Sequence, residues 1–502
     1  MHYKLLFKQF FDKVKPFIKP FCLIMAIYLI ASLSLFRANF SYMDDLGRAT
    51  EGYTWRSDFN RYSSSIFAML LNTNTVLTDI SPLPQIIAFA MIAICGIIIT
   101  YIYCKRKISY PALIASCFIG LTPFMLGCWA FKFDAPCMAL GILASTIPLT
   151  LWLWLDQNFS RHKILITISI TTLCTFIMWT SYQAASGVLP VIILGATFLD
   201  YIRAHRARPI LQKSSLYLVG FLLGTIIFRL IFPTASAEAY RGTEMFSLGE
   251  LLPGIINNTY QMFTTIINSC NWLWALLGVI LCLGFCIAII YASKHSLWHK
   301  LTNLSLGITF ASISFILSYG AYLILKDAPV YGRSLVGFCT WLAIIAIITL
   351  VLAKNHLRFI LALPTFYLLY SFLTFSLTFG NALADQERYA DFRVTELATE
   401  LASTEEISID YTHKIRLQGT IGPSAVMQHV TELYPVVDTI FYEHQNGLNE
   451  YSTWGYRKLV RYYDIDMKAD YDRTIECDHE VKSSHLYTIY TNSNHDACVT
   501  IK

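Results

Sequence analysis

Residues 83–104 read LPQIIAFAMIAICGIIITYIYC without a charged side chain, and Lys105, Arg106 and Lys107 follow at once. As a helix, such a run rises about 1.5 Å per residue. It therefore crosses the roughly 30 Å of hydrocarbon in a bilayer while satisfying its own backbone hydrogen bonds. Similar runs lie near 20–36, 110–130, 136–155, 164–180, 184–202, 215–233, 271–292, 303–325, 335–353 and 359–380. The reading is an all-α polytopic membrane protein with about eleven transmembrane helices. Composition agrees, because 502 residues that are 55% hydrophobic and 14% charged depart from the balance of a water-soluble chain. The first run follows a basic segment containing Lys4, Lys8, Lys13, Lys15 and Lys19. No small-residue cleavage site precedes the next polar loop, so this run is expected to be a retained span.

Lys and Arg near helix ends are held on the cytoplasmic side. One alternate set of loops comprises the amino-terminal segment, 105–107, 161–163, 203–213, 294–300 and 354–358. It contains 18 basic residues, against only Asp12 within it and Asp156 and Asp200 beside it, and is read as cytoplasmic. An odd number of spans then places everything after about residue 382 on the opposite side. The net charge of +5 averages this basic inner surface with a tail of 11 basic and 20 acidic residues, which argues against nucleic-acid binding.

Two domains are expected: a membrane module over 1–381, with a long polar first loop at about 37–82, and a small α+β domain over 382–502. Within the tail, Ala384 to Leu401 has amphipathic helical spacing. Ser408 to Leu417 and Val436 to Tyr442 read as strands. Of 13 cysteines, all but Cys477 and Cys498 lie in or beside apolar runs, where a thiol is a small hydrophobic group. Those two are disulfide candidates in an oxidising compartment. No cysteine or histidine spacing suggests a metal site.

The first loop holds Met43-Asp44-Asp45, Arg48, Gly52, Trp55, Arg61 and Asp79-Ile80-Ser81-Pro82-Leu83-Pro84. Two adjacent carboxylates beside a membrane suit general-base chemistry, since one faces a hydroxyl while the other sets geometry or raises its neighbour's proton affinity. Capping a helix end remains the plain alternative. Other loops on the same side add Phe131-Lys132-Phe133-Asp134, Ser181-Tyr182-Gln183 and Lys326 to Arg333. Arg333 has the planar fork that binds phosphate oxygens bidentately, although a basic residue at this depth also snorkels to headgroups. Arg241 is a further candidate of the same kind.

These residues together resemble the bacterial O-antigen glucosyltransferases of serotype conversion, the Gtr type within the GT-C class. The resemblance covers the spans and their loops and is most specific in the first loop. It is silent on the tail. Where the family carries Gly-Arg-Pro, this chain has Asn60-Arg61-Tyr62. The resemblance implies a GT-C-like fold and transfer of glucose from undecaprenyl phosphate glucose to a sugar hydroxyl of the lipopolysaccharide O-antigen, on the periplasmic face of the bacterial inner membrane. It places Asp44 first and Asp45 second as catalytic base, and Arg48, Trp55, Arg61, Asp79, Lys132, Asp134, Tyr182, Gln183 and Arg333 in substrate binding. The chemistry requires no cofactor, and a divalent metal is unnecessary where cations meet the lipid phosphate. A transferase that makes the donor and a flippase belong to the implied pathway. An O-antigen polymerase, a transferase of another sugar and a lipid-linked sugar transporter are the alternatives. A transporter would place polar residues near the bilayer midplane.

Overall fold

A computed structural model describes residues 2–55, 59–155, 159–232, 244–293, 296–441, 448–450, 458–459 and 465–502, the first ten of these by backbone alone. In chain order the helices are α1 (His2–Ala31), α2 (Leu33–Ala38), α3 (Asp45–Glu51), α4 (Tyr62–Asn72), α5 (Leu83–Tyr103), α6 (Tyr110–Ala115), α7 (Phe118–Leu121), α8 (Leu126–Trp129), α9 (Ala135–Thr146) and α10 (Arg161–Ser181). They continue as α11 (Val188–Ala204), α12 (Ala207–Ile231), α13 (Leu251–Asn268), α14 (Trp272–Ala292), α15 (Leu297–Leu317), α16 (Val336–Leu352), α17 (Asn355–Ala402), α18 (Ala425–Leu433) and α19 (Val437–Ile440).

Among the described residues eight helices are long and apolar enough to cross a membrane, fewer than the eleven expected. They are α1, α5, α10, α11 with its leading turn, α12, α14, α15 and α17. The run at 110–130 is broken rather than continuous: Tyr110–Leu121 and Pro123–Trp129 meet at 49°. Thr122 precedes a proline, which disfavours helical backbone, and its ψ is 132°. The runs at 136–155 and 335–353 form the shorter helices Ala135–Leu151 and α16. Helix α16 is buried at nearly every position from Val336 to Leu352, so it is enclosed by its neighbours rather than by lipid.

In an apolar solvent helices associate through close backbone approach and small polar side chains. Gly220 and Gly224 of α12 sit against Thr171 and Thr175 of α10. Ser376 Oγ of α17 donates to the Ala31 carbonyl at 2.8 Å, and Gly380 admits Ser34 and Leu35. Outward-facing apolar residues such as Leu222, Ile226 and Leu230 of α12 and Leu276, Val279 and Leu283 of α14 have the exposure expected of a lipid-facing surface.

Helix α17 runs without interruption from the bundle into the tail, where its Val394, Leu397 and Leu401 cover a five-stranded sheet. The strands are β1 (Lys414–Gln418), β2 (Lys468–Ala469), β3 (His479–Ser483), β4 (Tyr487–Thr491) and β5 (Ala497–Ile501), in the order β2-β1-β5-β4-β3. The β1–β2 and β1–β5 pairs are parallel and the others antiparallel. Buried Arg393 of α17 ties the layers together, donating to Tyr389 Oη (2.8 Å), Tyr487 Oη (3.2 Å) and the Lys502 carbonyl (3.0 Å). Cys477 and Cys498 are joined by a disulfide. Val436 to Tyr442 is not a strand: it contains α19, with Val437, Ile440 and Phe441 buried together, the i, i+3, i+4 spacing of a helix face. Tyr442 itself lies outside the described residues.

The Ser318 carbonyl is wedged between Gly187 and Gly337, and a β-carbon at either position would overlap it. Gly337→Ala is therefore expected to cost about 1–3 kcal/mol as an overpacking change. A lowered melting temperature in detergent checks this, and an unchanged one would show that the turn at Ser318 gives way freely.

Candidate active site

The first loop folds because its polar groups find partners below the water surface. Met43 adopts left-handed backbone at φ 52° and turns the chain into α3, with Asp44 at the N-cap position. Gly52, at φ 68°, ends that helix in a left-handed cap against the backbone of Leu77, where a side chain would not fit. Helix α4 brings Ser63 and Ser64 onto the end of α10. Ser64 Oγ donates to the Ser181 carbonyl at 2.8 Å, and Ser63 Oγ lies 2.7 Å from Thr180 Oγ1.

The two adjacent aspartates do different things. Asp45 Oδ2 accepts the backbone N–H of Lys132 at 2.9 Å and that of Tyr42 at 3.2 Å, while Oδ1 takes the Phe133 N–H at 3.4 Å. Its carboxylate thus clasps the first loop to the loop before α9. Asp44 makes no side-chain cap bond; its Oδ2 accepts from Trp55 Nε1 at 3.1 Å. The capping alternative therefore does not describe either side chain. Burial, reinforced by the charge of Asp134, pushes the Asp44 carboxyl up to about 6. Arg48 and Arg333 act in the opposite direction. Asp45 is raised by burial and by Asp44.

Arg48, only 2% exposed, is ion-paired with Asp134. Burial opposes the Asp134 charge, but Arg48 and Arg61 outweigh it and hold this carboxyl below its ordinary value. Negative charge therefore settles on Asp134 first, while Asp44 and Asp45 are both held above their ordinary values. The Arg48 guanidinium also lies 5.2 Å from the Phe133 ring centroid.

Beside this pair is a small pocket lined by Arg48, Trp55, Arg61, Ser64, Ser65, Asp134, Cys137, Met138, Ser181 and Tyr182. The Nε atoms of Arg48 and Arg61 and the hydroxyl of Ser181 are buried there with no hydrogen-bond partner among the described residues. Arg61 packs over the rings of Phe59 (4.8 Å) and Tyr182 (5.9 Å). Uncompensated buried donors are costly unless a ligand satisfies them, so this chamber has the chemistry of an anion site.

The remaining expected residues frame it. Lys132 reaches Asp79 at 3.3 Å, and Asp79 accepts from the backbone and hydroxyl of Ser81, so both belong to a strut at the start of α5. The Ser81 hydrogen bonds and Lys132 overcome burial and lower the Asp79 carboxyl. Tyr182 donates to the Arg333 carbonyl at 2.6 Å, and Gln183 donates to the Phe59 carbonyl at 3.2 Å. Arg333 lies over Phe131 and contacts Met43, next to Asp44. Arg241 lies outside the described residues. Ser64, Ser65 and Cys137 were not anticipated; the run Ser63-Ser64-Ser65 opening an otherwise apolar helix was the available signal. Tyr42 donates to the Ile440 carbonyl, so the tail touches the base of the first loop. The described residues contain no group of His, Cys, Asp and Glu arranged to hold a metal.

Against known proteins, residues 33–375 match the family described as Glucosyl transferase GtrII, which takes in the first loop, the cavity and most of the bundle. The chain belongs to that family. It is also 24% identical over 263 residues to a Salmonella phage P22 protein described as an uncharacterized 55.3 kDa protein in the gtrB 5′ region; the match covers 50% of this chain and 51% of the phage protein. The chain thus spans about half the length of the curated relative it matches. No solved structure matches it.

Asp45→Ala is expected to leave the N–H groups of Lys132 and Phe133 unpaired, at a cost of about 1–3 kcal/mol. Amide exchange at residues 131–134 should accelerate and the melting temperature fall. Unchanged exchange would remove the clasp.

Proposed function

We propose that this GtrII-family chain transfers glucose from undecaprenyl phosphate glucose to a sugar hydroxyl of the lipopolysaccharide O-antigen. The observation that carries the reading is the juxtaposition of a buried carboxyl, Asp44, pushed up to about 6, with a pocket where the Nε–H groups of Arg48 and Arg61 lack partners among the described residues. Glucose as the sugar rests on the family.

The donor is a phosphodiester bearing one charge, and loss of its sugar leaves a lipid phosphate bearing two. Donors aimed at that phosphate are worth more at the transition state than before it, which is the condition for catalysis. In this scheme Asp44 accepts the proton of the acceptor O–H as its oxygen bonds to the anomeric carbon. The carbon–oxygen bond to phosphate breaks, and its electron pair stays on the phosphate oxygen facing Arg48 and Arg61. Asp134 holds Arg48 in place, Asp45 holds the loop that carries Asp44, and Arg333 lies on the Met43 side of the carboxyl. One displacement of this kind inverts the anomeric configuration.

In the same reading the membrane module is 1–381 and the domain at 382–502 lies in the periplasm with the first loop, while the amino-terminal segment is cytoplasmic in the bacterial inner membrane. The basic end of the bundle supports this orientation. Lys105 pairs with Asp200 at 2.7 Å, Arg203 donates to the Tyr103 carbonyl and Arg358 to that of Ala353, all remote in the fold from α3 and α4.

Protein reconstituted in vesicles with undecaprenyl phosphate glucose and lipid-linked O-antigen should release lipid phosphate and glucosylate the acceptor in equal amounts. Product from a different polyprenyl phosphate sugar alone would move the donor assignment, and movement of the lipid-linked sugar without transfer would replace the enzyme by a transporter. Because the base works deprotonated, the rate should climb about tenfold per pH unit below about 6 and level above it. A flat profile from pH 5 to 7 would contradict Asp44 as the base. Arg61→Ala should lower kcat by roughly 100-fold, the scale of one lost transition-state donor.

A further inference from the structure

Helix α13 is 18 residues long, carries no charged residue and is too polar to be among the membrane-crossing helices. Its protein-facing side is narrow: Gly254, Asn258, Met262 and Ile266 are buried at intervals of four. Asn258 Nδ2 reaches the carbonyls of Tyr322, Leu323 and Leu325 at 3.0, 3.2 and 2.8 Å, fastening the helix to the turn that leads toward Arg333. The segment before α13 pairs with the same stretch, with Phe246 N–H donating to the Ile324 carbonyl and Lys326 N–H to that of Glu244.

The opposite side is apolar and open. Leu252 (68% exposed), Ile256, Tyr260, Phe263 and Ile267 are all exposed, and at about 100° per residue they fall within an arc of about 80°. The neighbouring arc holds Asn257, Gln261, Thr264 and Asn268, amides and hydroxyls without charge. The open stripe continues at both ends: Leu248 precedes it at 94% exposed, and Trp272 (77% exposed), Leu276, Val279 and Leu283 follow along α14. That last stretch is the lipid-facing surface of a spanning helix.

We infer that α13 lies in the polar–apolar boundary of the leaflet on the active-site side, with its five-residue stripe among the acyl chains and Asn257, Gln261, Thr264 and Asn268 toward water. The occupant is lipid because the chain runs from this stripe directly into the exposed apolar face of α14, a helix long and apolar enough to cross a membrane, and an amphipathic helix with no net charge binds such a boundary through its buried apolar area alone. Through Asn258 and the turn at Gly320–Ile324, this foot sets the height at which Arg333 meets the catalytic loop.

The test uses the full chain in phosphatidylethanolamine/phosphatidylglycerol vesicles, with the photoreactive residue p-benzoylphenylalanine placed singly at 252, 256, 263, 257 or 261. After irradiation, mass spectrometry should find phospholipid adducts at 252, 256 and 263 and their loss at 257 and 261. All five positions are exposed or half-exposed, and three separate apolar positions keep the test valid if one variant fails to fold. Adducts to a second copy of the chain at 256 and 263 would overturn the inference in favour of a dimer face. Absence of lipid adducts at all three apolar positions, or equal adducts at all five, would overturn it outright.

Discussion

The buried ion pair between Arg48 and Asp134 is the contact on which the site depends. It joins the first loop to the loop before α9, and it assigns the negative charge within a cluster that has little water to share it. A cation–carboxylate pair in such surroundings is kept only if its remaining groups are satisfied or are meant for a ligand. Here the pairing leaves Arg48 Nε open to the pocket, while burial, reinforced by the charge of Asp134, pushes the Asp44 carboxyl up to about 6. In the proposed scheme this salt bridge, together with burial, shapes both the anion site and the strength of the Asp44 base.

The second dependence is mechanical. Tyr42 hydrogen-bonds the Ile440 carbonyl of α19, Ile440 packs against Gly332, and Phe441 faces Phe40 at 6.2 Å between ring centroids. Tyr434 fits against Trp274 and Phe375 of the bundle. The tail therefore presses on two of the segments that carry charged groups to the site, residues 40–48 and 331–333. Its sheet lies further out, carried on the same helix, α17, that leaves the bundle.

Much of this was legible in the chain. Apolar runs locate membrane helices because the bilayer imposes length and composition together. Asp44, Asp45, Arg48 and Asp134 stand out because charge is rare in a sequence of this kind. What the runs could not show was interruption and enclosure: Thr122-Pro123 breaks one helix, and α16 is apolar because other helices surround it. Val436 to Tyr442 was misread as a strand because a short run of β-branched residues has no period of its own; its docking against Tyr42 and Gly332 selects a helical turn. The separate duties of Asp44 and Asp45 depend on the Lys132 and Phe133 backbone, 87 and 88 positions from Asp45, and no local pattern carries that information.

The most direct measurement is a single-turnover assay in vesicles, following lipid phosphate release and acceptor glucosylation for wild type, Asp44→Asn and Asp45→Asn at pH 7.5. Loss of both products in Asp44→Asn, with the fold retained by melting temperature and with the donor still bound, is the result predicted. Asp45→Asn should be destabilised yet still turn over. Wild-type rates in a folded Asp44→Asn variant would contradict the account and return the carboxylates of this loop to a structural role.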